Sequence, residues 1–220
     1  MFSTKNLKPV ILAVLIGLGA LLQGTHAKAA ELQTLTVAGG CFWCVESDFE
    51  SVSGVTQVVS GFTGGTVADP TYKQVTGGGT GHYEAVQITF NPDFVTRAKL
   101  ISLFFRSIDP TDDGGQFCDR GDTYRTAIFV SNGTEKGIAE TAKREAQAQL
   151  RQTVVTPILD TGPFYAAGDY HQDFYKGDKL ILTRYGPRKQ SVAYKLYRKG
   201  CGRDARIKEL WGDAAPFVHG

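Results

Sequence analysis

Apolar positions along this chain fall into short alternating runs divided by helical stripes. LQTLTVA (32–38) is rich in β-branched residues and runs into Gly39-Gly40, the pattern of a strand meeting a turn. Val45, Phe49 and Val52 then recur at i, i+4 and i+7, one face of a helix that closes at Gly54. VTQVVSGF (55–62) reads as a second strand. In EAVQITF (84–90), Val86, Ile88 and Phe90 alternate with Gln87 and Thr89, so a third strand buries one face. TRAKLISLFFRS (96–107) predicts a helix that Asp109-Pro110 stops. RTAIFV (125–130) is a fourth strand, and 134–152 predicts a helix with Ile138, Ala142, Ala146 and Leu150 on one stripe. VVTPIL (154–159) is a short strand that Pro157 confines to a sheet edge.

Through the fourth strand the order is β-α-β-β-α-β. It predicts an α+β fold with a ferredoxin-like split βαβ core, a mixed sheet carrying helices on one face. Past residue 160 the chain is rich in Gly, Pro, Tyr and Lys without a clear period. A mostly irregular C-terminal wrap is expected there, with its tail at about 186–220. The glycine-rich stretch 63–83 is a long loop for a compact domain, and such loops more often serve function than not.

The N-terminus changes the cellular picture. Lys5 and Lys8 precede PVILAVLIGLGALL, and Ala27-Lys28-Ala29 follows as a small-x-small triplet. This is the layout of a secretory signal peptide over 1–29, cut near Ala29. The apolar run falls short of the ~20 residues a spanning helix needs, and an uncleaved anchor is the alternative. The expected product is an exported, periplasmic protein in which 30–220 form one domain, large enough for a real core. A formal charge of +2 without charge runs points to neither nucleic acid nor an acidic membrane surface, and a monomer is expected. Four cysteines in an exported chain could form two structural disulfides, but a domain of this length does not need them, which favours redox chemistry. Met1 is the only methionine, so the mature chain would resist sulfoxidation; small-sample composition explains this equally well.

AGGCFWCVE (38–46) holds the candidate chemistry. A strand, two glycines and a helix-opening cysteine put the Cys41 sulfur at a helix N-terminus, where the dipole favours thiolate and lowers its pKa below ~8.5. A buried structural cysteine, or half of a disulfide, is the competing reading of Cys41. Zinc needs about four ligands; His82 and His171 stand alone and no second CxxC exists, so no metal is expected. A thioredoxin-like thiol-disulfide oxidoreductase using Cys41 and Cys44 is a second reading, though it gives no reason for the bulky Phe-Trp pair. In the third, Cys41 is a nucleophile and Phe42 and Trp43 form an apolar, polarisable wall suited to a methyl or thioether group.

GCFWCVE, DPTYKQVTGGGTGHYEAV (69–86), RSIDPT (106–111), CDRGDTYRTAIF (118–129) and PFYAAGDYHQDFY (163–175) together resemble the A-type peptide methionine sulfoxide reductases. The likeness runs over roughly residues 35–211. It implies a ferredoxin-like core and reduction of the S epimer of methionine sulfoxide, free or in oxidised proteins. It also implies thiol chemistry with no bound cofactor and an external dithiol reductant, a thioredoxin-like protein. Position by position, Cys41 matches the nucleophile, and Phe42 and Trp43 match the methyl pocket. Glu84 matches the acid beside the sulfoxide oxygen, Tyr72 and Tyr124 the tyrosines that hydrogen-bond it, and Asp119 an acid of the same pocket.

These residue types suit the reaction. A sulfoxide becomes a good target for a thiol only when its oxygen gains a proton, which a desolvated, neutral carboxyl can supply. Phenols then stabilise the charge on oxygen. Attack leaves Cys41 as a sulfenic acid, which a second thiol condenses to a disulfide. Cys201, on a Gly-flanked segment, is expected to resolve it by swinging into the site; Cys44, one helical turn from Cys41, is the local alternative. Cys118, beside Asp119, is a third candidate for this step, with a buried free thiol as its bland reading. Phe62, Ile108 and Gly168 stand where the family commonly has Tyr, His and Glu, and Cys44 stands where Gly is frequent. A secreted binding module with its cysteines tied in disulfides is the non-catalytic alternative.

Overall fold

A computed structural model describes residues 31–184 and 186–218. The expected leader, 1–29, lies outside the described residues. Strand β1 (Gln33–Gly39) leads into helix α1 (Phe42–Glu50) and strand β2 (Val55–Thr63). A short helix α2 (Tyr72–Thr76) inside the long loop precedes β3 (Tyr83–Phe90) and helix α3 (Arg97–Phe105). Two-residue strands β4 (Gly115–Gln116) and β5 (Asp119–Arg120) form a small hairpin before β6 (Thr126–Val130) and helix α4 (Gly133–Leu150).

The main sheet has order β7-β6-β1-β3-β2-β8, with β7 at Ile158–Asp160 and β8 at Tyr165–Ala166. Its inner four strands, β6-β1-β3-β2, pair antiparallel throughout and carry α1 and α3 as their crossovers, the split βαβ arrangement. β7 pairs parallel to β6 and makes the sheet mixed. That edge strand starts after Pro157, as a residue without an N–H requires.

Alternation along the strands sets which face each side chain meets. Leu35, Val37, Val86, Ile88, Phe90 and Ile128 share the main core with Phe49, Leu100 and Phe104 of the helices. Ala38, Tyr83, Ala85, Ala127 and Phe129 form a smaller cluster with Leu159 and Phe164. Each large apolar side chain so buried stabilises the fold by roughly 1.5–3 kcal/mol. Thr96 caps α3 and Asn132 caps α4, each side chain accepting a backbone N–H from the first turn. α1 closes at Glu50, short of the predicted Gly54, whose φ of +94° turns the chain into β2.

The C-terminal wrap is irregular only as far as the hairpin of β9 (Leu180–Thr183) and β10 (Gly186–Lys189). Two helices then follow, α5 (Gln190–Gly200) and α6 (Arg203–Trp211), which corrects the expected irregular tail. The buried stripe of α5 is Gln190, Ala193, Tyr194 and Arg198, so hydropathy alone carried little trace of it. Arg198 donates to Asp48 of α1 at 2.7 Å, to Asp204 at 2.8 Å and to the Phe217 carbonyl at 3.0 Å. Arg203 donates to the Gly39 carbonyl at 3.2 Å and the Ser107 carbonyl at 2.8 Å, tying α6 beneath the turn that opens α1. Removing one partner of such a buried ion pair typically costs about 3–5 kcal/mol, because the other charge is left uncompensated.

Candidate active site

The turn between β1 and α1 admits no side chain at either glycine. A Cβ on Gly39 would meet Val45 Cγ2 at 2.9 Å; one on Gly40, whose φ is +78°, would meet Gln116 Cβ at 2.5 Å. This tight turn delivers Cys41 as the residue that caps α1, its carbonyl accepting from the Cys44 N–H at 3.1 Å. Cys41 is half-buried and Cys44 buried, and both are free thiols.

Glu84 reaches the same point from β3. Because Tyr83 and Ala85 belong to the opposite cluster, Glu84 faces the helix layer, where its Oε2 accepts the Phe42 N–H at 3.1 Å. It is 2% exposed. Burial pushes its pKa up to about 8, with Asp119 and Cys44 adding to the rise and the Phe42 N–H opposing it. The carboxyl is therefore mostly protonated at neutral pH.

The two phenols arrive on separate loops. Tyr72 begins α2, and Tyr124 ends the single turn Asp122–Tyr124 before β6. The Thr123 hydroxyl donates to the Val75 carbonyl at 2.9 Å and joins these loops, and Tyr124 is a hydrogen-bond partner of Tyr72. Burial first, then the Glu84 carboxylate, raises both phenol pKa values, so both stay neutral donors. Asp119, half-buried on β5, is raised by burial while Arg203 opposes the shift. It joins Glu84 among the charges felt by Cys41, Tyr72 and Tyr124. Cys41, Phe42, Glu84, Tyr72, Tyr124 and Asp119 thus converge on the open end of α1.

Aromatic rings close the rest. Phe42 lies with its centroid 6.2 Å from those of Trp43 and Tyr72 and 5.9 Å from that of Phe62. Phe174 stacks face to face on Trp43 at 3.7 Å and 6°, and His171 stacks on Tyr72 at 4.2 Å. Such stacks contribute about 0.5–1.5 kcal/mol beyond area burial. His171 also lies 5.4 Å from Phe42, which makes it and Phe174 part of the site. The sequence reading missed both: isolated on the chain, they are brought in by the backbone of 167–174. The available signal was the HQDF run, with His171 and Phe174 at i and i+3.

The sulfurs differ from expectation in two ways. Cys118 is exposed and disulfide-bonded to Cys201 across Cα atoms 4.8 Å apart, rather than buried and free. It sits at the tip of the β4–β5 hairpin, where solvent reaches it, and Cys201 is the C-cap of α5 rather than part of an irregular tail. The thiol pKa order is also reversed. Cys41 is raised well above an ordinary thiol, first by its hydrogen bond with Cys44, then by burial and by the Glu84 and Asp119 carboxylates. Cys44 is lowered, first by that same hydrogen bond, with Arg203 and Arg198 assisting against burial. The helix-terminus effect expected at Cys41 is outweighed by a neighbour one turn away, so that Cys44 is the stronger acid of the pair. All four sulfurs line one cavity of about 290 Å³, whose walls include Trp43, Tyr194 and Arg203. Cys41 and Cys44 are both free, which differs from the expectation of a binding module with every cysteine tied in a disulfide.

Residues 33–205 match the family described as peptide methionine sulfoxide reductase. The chain is 46% identical over 189 residues to peptide methionine sulfoxide reductase MsrA 2 of Rhizobium meliloti, covering 86% of this chain and 88% of that one. It is 48% identical over 179 residues to MsrA of Bacillus subtilis, with 80% and 94% covered. Among solved structures, reduced Mxr1 of Saccharomyces cerevisiae superposes with TM-score 0.64 at 28% identity, over 66% of this chain and 85% of that one. Methionine sulfoxide reductase A of Corynebacterium diphtheriae gives 0.60 at 29% identity, over 66% and 74%. None of these matches favours the thioredoxin-like reading of Cys41 and Cys44. A match that runs from β1 into α6, with relatives this similar across most of both chains, means that this chain belongs to the peptide methionine sulfoxide reductase family.

Proposed function

We propose that the chain reduces the S epimer of methionine sulfoxide, free and in oxidised proteins, to methionine, with Cys41 as nucleophile and Glu84 as proton donor. The observation that carries this reading is a buried, protonated carboxyl hydrogen-bonded to the N–H of the residue following the half-buried thiol. The sulfoxide methyl packs against Phe42 and Trp43, and its oxygen points to Glu84, Tyr72 and Tyr124. Asp119 shapes the field beside them. Each phenol lost from such an oxygen-binding group typically costs about 10²–10³ in rate. Sulfoxide sulfur is stereogenic, and with methyl and oxygen held at separate loci only one configuration opens its sulfur to Cys41. Assignment of that configuration as S follows the family resemblance.

The proton inventory closes. As the Cys41–S bond to the sulfoxide sulfur forms, Glu84 protonates the oxygen and takes up the proton that Cys41 loses. Collapse releases methionine and leaves Cys41 as the sulfenic acid, with Glu84 and Cys44 protonated as at the start. Cys44 then condenses with the sulfenic acid, losing water and forming a Cys41–Cys44 disulfide. Reduced Cys118 and Cys201 exchange with it and become the disulfide seen here, which an external thioredoxin-like dithiol protein reduces. Exposure of Cys118 beside a buried Cys44 supports this outlet. The basic, apolar N-terminal stretch supports action as an exported, periplasmic protein.

Dithiothreitol-driven turnover of separated N-acetylmethionine sulfoxide epimers tests the function. Turnover of S alone is expected; equal rates on both, or on neither, would sink it. For the outlet, Cys118→Ser/Cys201→Ser should still release one methionine per enzyme. With thioredoxin, its reductase and NADPH, its turnover should fall at least about tenfold. Undiminished turnover would make the Cys41–Cys44 disulfide the direct target of the reductant.

A further inference from the structure

Glu46 lies on α1 five residues beyond Cys41 and is fully buried, yet the chemistry above leaves it unused. Its two oxygens face two different segments. Oε2 accepts the Ser60 hydroxyl of β2 at 3.0 Å, and Oε1 accepts the Asp173 N–H at 2.9 Å. Ser60 is itself bound to the same distant segment: its N–H donates to Gln172 Oε1 at 3.0 Å, and its carbonyl accepts from Gln172 Nε2 at 2.9 Å. The Gln172 amide also donates to the Ala167 carbonyl at 2.8 Å. Asp173 holds a φ of +56°, a left-handed conformation that a non-glycine residue keeps only when its surroundings enforce it. The residues flanking this clamp are His171 and Phe174, which stack on Tyr72 and Trp43.

We propose that Glu46 is a positioning residue that sets the methyl pocket, holding the 167–174 segment so that His171 and Phe174 stay pressed against the Phe42-Trp43-Tyr72 wall. The proposal rests on the reading of Phe42 and Trp43 as the methyl wall. Both partners of Glu46 are donors, so the clamp is a pair of directed hydrogen bonds accepted by its two oxygens. An amide of the same length keeps it: Gln Oε1 accepts the Asp173 N–H, and its NH₂ donates to a Ser60 hydroxyl turned to accept.

The test is single-turnover methionine release from S-N-acetylmethionine sulfoxide, read as half-saturating concentration and maximal rate. Glu46→Ala should raise half-saturation about tenfold with the maximal rate within about threefold, because pocket contacts loosen while Cys41 and Glu84 stay in place. Glu46→Gln should return half-saturation to within about twofold of wild type. An unchanged half-saturation in Glu46→Ala, or a Gln variant as weak as Ala, overturns the proposal. If Glu46→Ala does not fold, Gln172→Ala must show the same rise in half-saturation, and its absence overturns the proposal too. Trp43→Ala separates the two levels. Half-saturation unmoved there would sink the methyl-wall reading itself, whereas a rise there without one in Glu46→Ala sinks only the clamp.

Discussion

Cys41→Ser is expected to lower methionine release by at least about a thousandfold, since a hydroxyl at this position supplies almost no anion for attack on sulfur. The result is not trivial, because Cys44 is the more acidic of the pair and could be taken for the nucleophile. Geometry argues otherwise. Cys44 is buried one turn inside α1, whereas Cys41 caps its open end next to the N–H that holds Glu84. Cys44→Ser should therefore keep the first methionine released while slowing every later turnover. Stopped-flow or quench measurement of one turnover separates the two; a Cys44→Ser enzyme lacking the first turnover would reassign the nucleophile.

Glu84→Gln is expected to lower the single-turnover rate about 10²–10⁴-fold with folding intact, because the amide keeps the Phe42 N–H bond yet gives no proton to the sulfoxide oxygen. The pH dependence carries the sign. The carboxyl must be protonated to act, so the wild-type rate should hold below pH 8 and fall as pH rises through about 8. This decline should vanish in Glu84→Gln, leaving a slow rate without that limb. A Gln variant with full rate, or a wild-type decline centred near the ordinary carboxyl pKa, would remove Glu84 as the donor.

The fold's core was legible because its strands alternate cleanly and glycines mark the turns: Val86, Ile88 and Phe90 in β3, Gly39-Gly40 before Cys41. Glu84 was legible as the acid only through the family resemblance of TGHYEAV; the alternation of β3 is what turns it toward the helices in the fold. The C-terminal helices were not legible, because what α5 buries is Gln190, Tyr194 and Arg198, held by hydrogen bonds and an ion pair rather than by apolar periodicity. Pairing of Cys118 with Cys201 spans 83 residues and depends on where α5 docks, which no local pattern encodes. The proton order at Cys41 and Cys44 is set first by the hydrogen bond between them, and two arginines brought up from that same region reinforce it.

The central claim is that Cys41 alone takes the sulfoxide oxygen. The direct measurement uses the Cys44→Ser/Cys118→Ser/Cys201→Ser variant, in which Cys41 is the only sulfur nucleophile. It is mixed with the S epimer of N-acetylmethionine sulfoxide in the presence of dimedone, and peptide masses are then mapped. The account predicts one methionine released per enzyme and one dimedone adduct, on Cys41. Methionine formed without an adduct, or no methionine from a folded enzyme, would contradict it.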